Sequence, residues 1–165
     1  MTERDNVTKH DFKDGNSEVS AHRHTNRGGW VADTAKVDSS VYVGPNASVF
    51  GNAQVSGKAR VYGAALVSGD ALVSGNALVY GKAQVYDNAQ VSGDAWVFGH
   101  AWVSGNARVF GKARLSDDAW VSGKARVSGN AVVSGDAQVY GNAEVFGKAR
   151  VSGIARVCDD ARVSV

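Results

Sequence analysis

Valine returns at every sixth position from Val31 to Val163, without an insertion or deletion. Only Leu115 departs from the series, and it too is aliphatic. Alanine keeps the same beat two residues earlier, from Ala35 to Ala161, with Val41 the one exception. Side chains at i and i+2 leave an extended chain on the same side. Ala and Val therefore share an inward face. The residues flanking each Val point outward, as in Arg60 and Tyr62, Gln84 and Tyr86, Trp102 and Ser104, Arg126 and Ser128. The next position is only ever Gly or Asp between Gly51 and Asp159, and Asn, Lys or Asp usually follows it. Gly adopts positive φ freely, and Asn and Asp tolerate it best among the rest. Each unit is a short strand followed by a sharp bend.

A strand this short buries nothing alone. Coiling the chain and stacking equivalent strands gives the Val and Ala columns a common core. Three units make one triangular turn of eighteen residues, so the period predicts an all-β, single-stranded parallel β-helix. Its length is roughly 35 Å at ~4.8 Å per rung. Ala at one inward position leaves room for Val at the other. The expected organisation is a polar N-terminal segment over 1–29 and a solenoid over 30–165.

The N-terminal segment is charged, with isolated apolar residues Val7, Phe12 and Val19. Residues 1–20 are expected to be weakly ordered and 20–26 to lead into the repeats. Trp30 takes the first outward position, over the top rung. Units near residues 31–47 are degenerate, as terminal caps of solenoids commonly are. At the other end, 161–165 form a strand in full pattern. Val163 and Val165 would lie on an unpaired edge, a template for another strand.

The unit V-S-G-N-A-R resembles the hexapeptide pattern of the bacterial transferase superfamily: aliphatic, small, two free positions, small, free. The resemblance covers about 31–165 and implies a left-handed parallel β-helix. The general crossover rule favours right-handed connections, so a triangular right-handed solenoid of the bactofilin type is the alternative. In its monotonous GNAxVxG style the chain is most similar to bacterial and phage repeat proteins of unassigned role. For the acyltransferases, the resemblance implies a His beside a loop that bulges from a corner, at a site between trimer subunits. For the γ-type carbonic anhydrases it implies three His around zinc.

Four histidines are present: His10, His22, His24 and His100. Only His100 lies in the repeats, at a corner usually filled by Asn, Lys or Asp, with Lys82 and Asp118 one rung away. No loop interrupts the repeats beside it. His100 is thus a weak catalytic candidate, no zinc triad can be matched, and no cofactor is expected. His22 and His24 offer only two ligands in a loose segment. Asp117, Asp118 and Asp136 could gather Ca²⁺ through oxygen ligands, but read more simply as solvated bends. Ice binding is rejected, because no threonine follows Thr34. No phosphate-cradling motif occurs.

The net charge of +2 is interspersed along the corners, which gives no case for nucleic acid or anionic membrane. The single cysteine, Cys158, allows no internal disulfide. There is no signal-peptide pattern and no apolar run of membrane-spanning length. The expected location is cytoplasmic, or associated with a phage particle.

Aromatics carry the remaining information. An eighteen-residue period puts Tyr62, Leu78, Tyr80, Trp96 and Phe98 on consecutive rungs of one face, and Trp102 over Trp120 on another. Cross-rung pairing of aromatics stabilises sheets by itself. A contiguous exposed patch also suits a partner surface. The sequence reading is a non-catalytic rod that self-associates laterally through these residues or end to end through Val163 and Val165. An acyltransferase-like enzyme, and a carbohydrate-binding module using Trp102 and Trp120, are the alternatives.

Overall fold

The structure is a computed structural model that describes residues 8–165, so Val7 lies outside the described residues. Those residues hold strands and turns but no helix. Two-residue strands recur every six residues, each covering the inward Val and the outward residue before it, as in Gln54–Val55 and Arg60–Val61. They stack in parallel as three sheets; with two antiparallel strands added at one edge, the sheets hold ten, eight and seven strands. The pairing is always with the residue eighteen positions on: Val49 with Val67, Val73 with Val91, Val97 with Leu115. This is the expected parallel β-helix of eighteen residues per turn.

From Ala47 to Ala149 the inward Ala and Val (and Leu115) form one fully buried column of contacts. The corners turn as the sequence requires. Every corner Gly from Gly51 to Gly153 has positive φ, and so do Asp87, Asp117 and Asp159, at φ 57–58°. Two of these Asp do more than tolerate the bend. Asp87 Oδ2 accepts the N–H of Gly105 at 3.0 Å, and Asp117 Oδ2 accepts that of Gly135 at 3.1 Å. Each carboxylate thus binds the corner amide one rung below.

The N-terminal part is more structured over residues 8–23 than the sequence suggests. Strand β1 (Lys9–His10) pairs antiparallel with β2 (Val19–Arg23), and β2 pairs antiparallel with β3 (Trp30–Ala32). The hairpin closes the top edge of the ten-stranded sheet. Its anchor is Phe12, which stacks on Phe50 at 4.8 Å beside buried Ala21 and Ala32. His10 lies flat on Trp30 at 4.0 Å, with Arg23 on the same ring at 4.1 Å. One isolated Phe is enough to dock the segment, because Phe50 offers it an apolar ring on the outer face.

His24 explains the remainder of the lead-in. It is buried; its Nδ1 accepts the N–H of Asn26, which leaves Nε2 to donate to the Asp38 carbonyl. His22 lies within β2, whereas His24 follows its last residue; His22 is exposed and meets Asp33 at 2.8 Å. The two imidazoles are therefore engaged separately, His22 by Asp33 and His24 by the Asn26 amide and the Asp38 carbonyl.

Over the last turn the inward pattern continues but is less buried. Ala155 and Ala161 are exposed and Val163 is half-buried. Ile154 and Val165 stand largely in solvent. Among the described residues no helix is long and apolar enough to cross a membrane.

Candidate ligand groove on the ten-stranded sheet

Residues eighteen apart become vertical neighbours, so the outer surface is a set of columns. On the seven-stranded sheet, Tyr62, Tyr80 and Phe98 form a parallel ring stack, 4.9 and 5.0 Å between centroids. Tyr42 meets Tyr62 edge-on. The rings cover one another, which leaves all three half-buried. Burial in the stack pushes the Tyr80 phenol above its ordinary pKa. In the neighbouring column Leu78 pairs with Trp96, and both are half-buried. The Arg114 guanidinium lies 4.5 Å from the Trp96 ring centre. This face is largely satisfied by itself, and it is less open than its composition implies.

The ten-stranded sheet differs. Trp102 and Trp120 pair in register and are 42% and 39% exposed. Their rings meet at 75°, with centroids 6.5 Å apart, so together they make an open corner. Trp120 Nε1 donates to Ser104 Oγ at 3.3 Å, which fixes that indole against a buried hydroxyl. Above and below them in the same column stand Gln84 and Gln138. The adjacent corner column is Lys82, His100, Asp118 and Asp136. These eight side chains line a groove of about 490 Å³.

His100 is exposed, and its Nδ1 lies 3.3 Å from Asp118 Oδ1, an open corner contact. Asp117 is turned away from Asp118: it binds the Gly135 amide and accepts from Ser116 Oγ. The acidic corners therefore do not converge. Among the described residues no group of three or more His, Cys, Asp or Glu is placed to hold a metal ion. Cys158 is half-buried one rung below Tyr140, and its thiol donates to Asp159 Oδ2 at 3.2 Å.

The groove unites features that the sequence reading treats separately: His100 with Asp118, the acidic corner Asp136, and Trp102 over Trp120. Lys82 is placed beside His100 and Gln84 outward by the sequence reading, but neither they nor Gln138 are joined there to the two indoles. The signal that finds them is the step of eighteen applied to every outward residue.

Six segments of the chain, 53–69, 71–87, 83–99, 89–105, 125–137 and 137–153, match the family model described as the YdcK beta solenoid repeat. The matched segments fall on the stacked turns of the solenoid. The chain is a repeat β-helix protein. The match concerns the solenoid repeat, and membership of the transferase hexapeptide superfamily does not follow from it. A comparison with curated proteins gives no match. The matched stretches of this β-helix hold Lys82, Gln84, His100, Trp102, Asp136 and Gln138 of the groove, whereas Asp118 and Trp120 fall in 106–124, between matched segments.

Proposed function

We propose that this β-helix is a non-catalytic scaffold or spacer, a rigid rod that associates with copies of itself. The observation that carries the reading is the unbroken core: inward Ala and Val are buried on every rung from Ala47 to Ala149, and strands succeed one another through short corners. Such a rod holds its ends at a fixed separation and presents rigid columns of side chains.

The association is assigned to the last rung. The strands Arg150–Val151, Arg156–Val157 and Arg162–Ser164 each end one of the three sheets. Beside them Ile154 and Val165 are exposed. An edge with open backbone groups and apolar side chains is a template for another strand. Pairing of two such ends gives a closed dimer. Pairing of this end with a partner's first rung gives open filaments, because a head-to-tail contact need not close.

Light scattering and electron microscopy test this. Val163→Pro, or a polar loop added after Val165, should reduce association while the upper rungs stay folded by circular dichroism. A chain that stays monomeric at high concentration without either change overturns the reading. So does acyl transfer from a coenzyme A donor that His100→Ala abolishes.

A further inference from the structure

Trp30 and Trp96 have their ring faces occupied from within the chain, by His10 and Arg23 in one case and by Arg114 in the other. Trp102 and Trp120 do not. Their ring contacts among the described residues are edge-on, with Tyr86 and with each other, and no guanidinium lies over either ring. Both are exposed, yet Trp120 is held in place by its bond to Ser104. We infer that the corner between these two indoles binds a neutral sugar ring of a glycan chain.

The chemistry around the corner selects the ligand class. A flat apolar occupant would be served by the indoles but would cover Gln84, Gln138, Asp118 and Asp136, stripping their polar groups of water without return. A second copy of this column has the same mixture and the same difficulty. A pyranose has an apolar face of C–H groups for an indole and a rim of hydroxyls that both donate and accept. The two amides do both, the carboxylates accept, and Lys82 donates. Two Asp against one Lys give the groove a negative bias, which disfavours uronates and sulfated or phosphorylated sugars. Stacked sheet strands hold the indoles rigidly, so little ordering cost is paid on binding. The columns continue above and below the pair, which lets a glycan chain run along the rod axis.

The test titrates the full chain with cellohexaose, chitohexaose and maltohexaose, with polygalacturonate as the acidic control. Tryptophan fluorescence and calorimetry give the readout, and melting curves accompany each variant. At least one neutral hexaose should bind. Trp102→Ala and Trp120→Ala should each weaken it about tenfold or more, and Trp96→Ala should leave it unchanged. Four results overturn the inference: no binding of any neutral probe, binding that survives both groove substitutions, preference for polygalacturonate, or loss of self-association in the groove variants without glycan binding. The scaffold reading is decided separately, by the oligomeric state of the unsubstituted chain.

Discussion

Replacing Gly75 by Ala tests both reasons for glycine at a corner. Gly75 has φ +70°, where a residue with a Cβ pays about 1–2 kcal/mol. The added Cβ would also stand 3.0 Å from both the backbone N and the backbone O of Gly93 in the next rung. Relieving that contact means parting two stacked corners, an overpacking cost of at least ~1 kcal/mol. The total is about 2–3 kcal/mol. Gly153 supplies the control: its φ is +65°, but an added Cβ meets nothing within 4 Å. Gly153→Ala should therefore cost only the conformational part, ~1–2 kcal/mol. Gly75→Asp should fall between wild type and Gly75→Ala, because Asp87 and Asp117 regain a hydrogen bond to the next corner amide. A bond of that kind returns roughly 0.5–1.5 kcal/mol. Thermal melting followed by far-ultraviolet circular dichroism ranks the variants. Equal losses for Gly75→Ala and Gly153→Ala would refute the inter-rung clash. An Asp variant melting below the Ala variant would refute the role assigned to the carboxylate.

Three further outcomes are expected. Val97→Asp puts an unpaired charge in a fully buried column and should cost several kcal/mol, whereas Gln90→Asp, at an outward position, should change the melting temperature little. Ala101→Leu should destabilise by roughly 1–3 kcal/mol in the same melts, because its column leaves space only for a methyl group. The third concerns pH. Partial burial and the nearby Arg23 lower the His10 pKa below 6.5, so the hairpin is most stable above pH 6.5 and loosens as pH falls through that value. Hydrogen exchange of the β2 amides at pH 7.5 and 5 should show the loss, and equal protection at both would contradict it.

The repeat made most of the architecture legible, and the reason is physical. Inward Val at a fixed spacing is buried by stacking equivalent strands, and Gly or Asp at each bend permits the positive φ that the corner needs. The same spacing correctly placed Tyr62, Leu78, Tyr80, Trp96 and Phe98 on one sheet and Trp102 beside Trp120. The hairpin was not legible, because Phe12 acts through Phe50, far away in sequence and outside any period. Degree of exposure was not legible either. The step of eighteen makes Tyr62, Tyr80 and Phe98 neighbours, but only their parallel tilt makes them cover one another. The groove lay in between. Its columns can be counted from the sequence, but the open angle between the indoles cannot.

Register in steps of eighteen makes the rod a ruler that can be recut only in fixed increments. Removing eighteen residues between two corners takes out one storey and returns every later side chain to its former column. Removing six shortens the rod less but turns everything downstream by a third of a circle. If the cut fell between Trp102 and Trp120, the two indoles would part onto different walls, although Val and Ala would still fill the interior. The interior accepts either edit. The surface tolerates only the larger one, so changes of length that preserve whatever the outer columns do must come in whole turns.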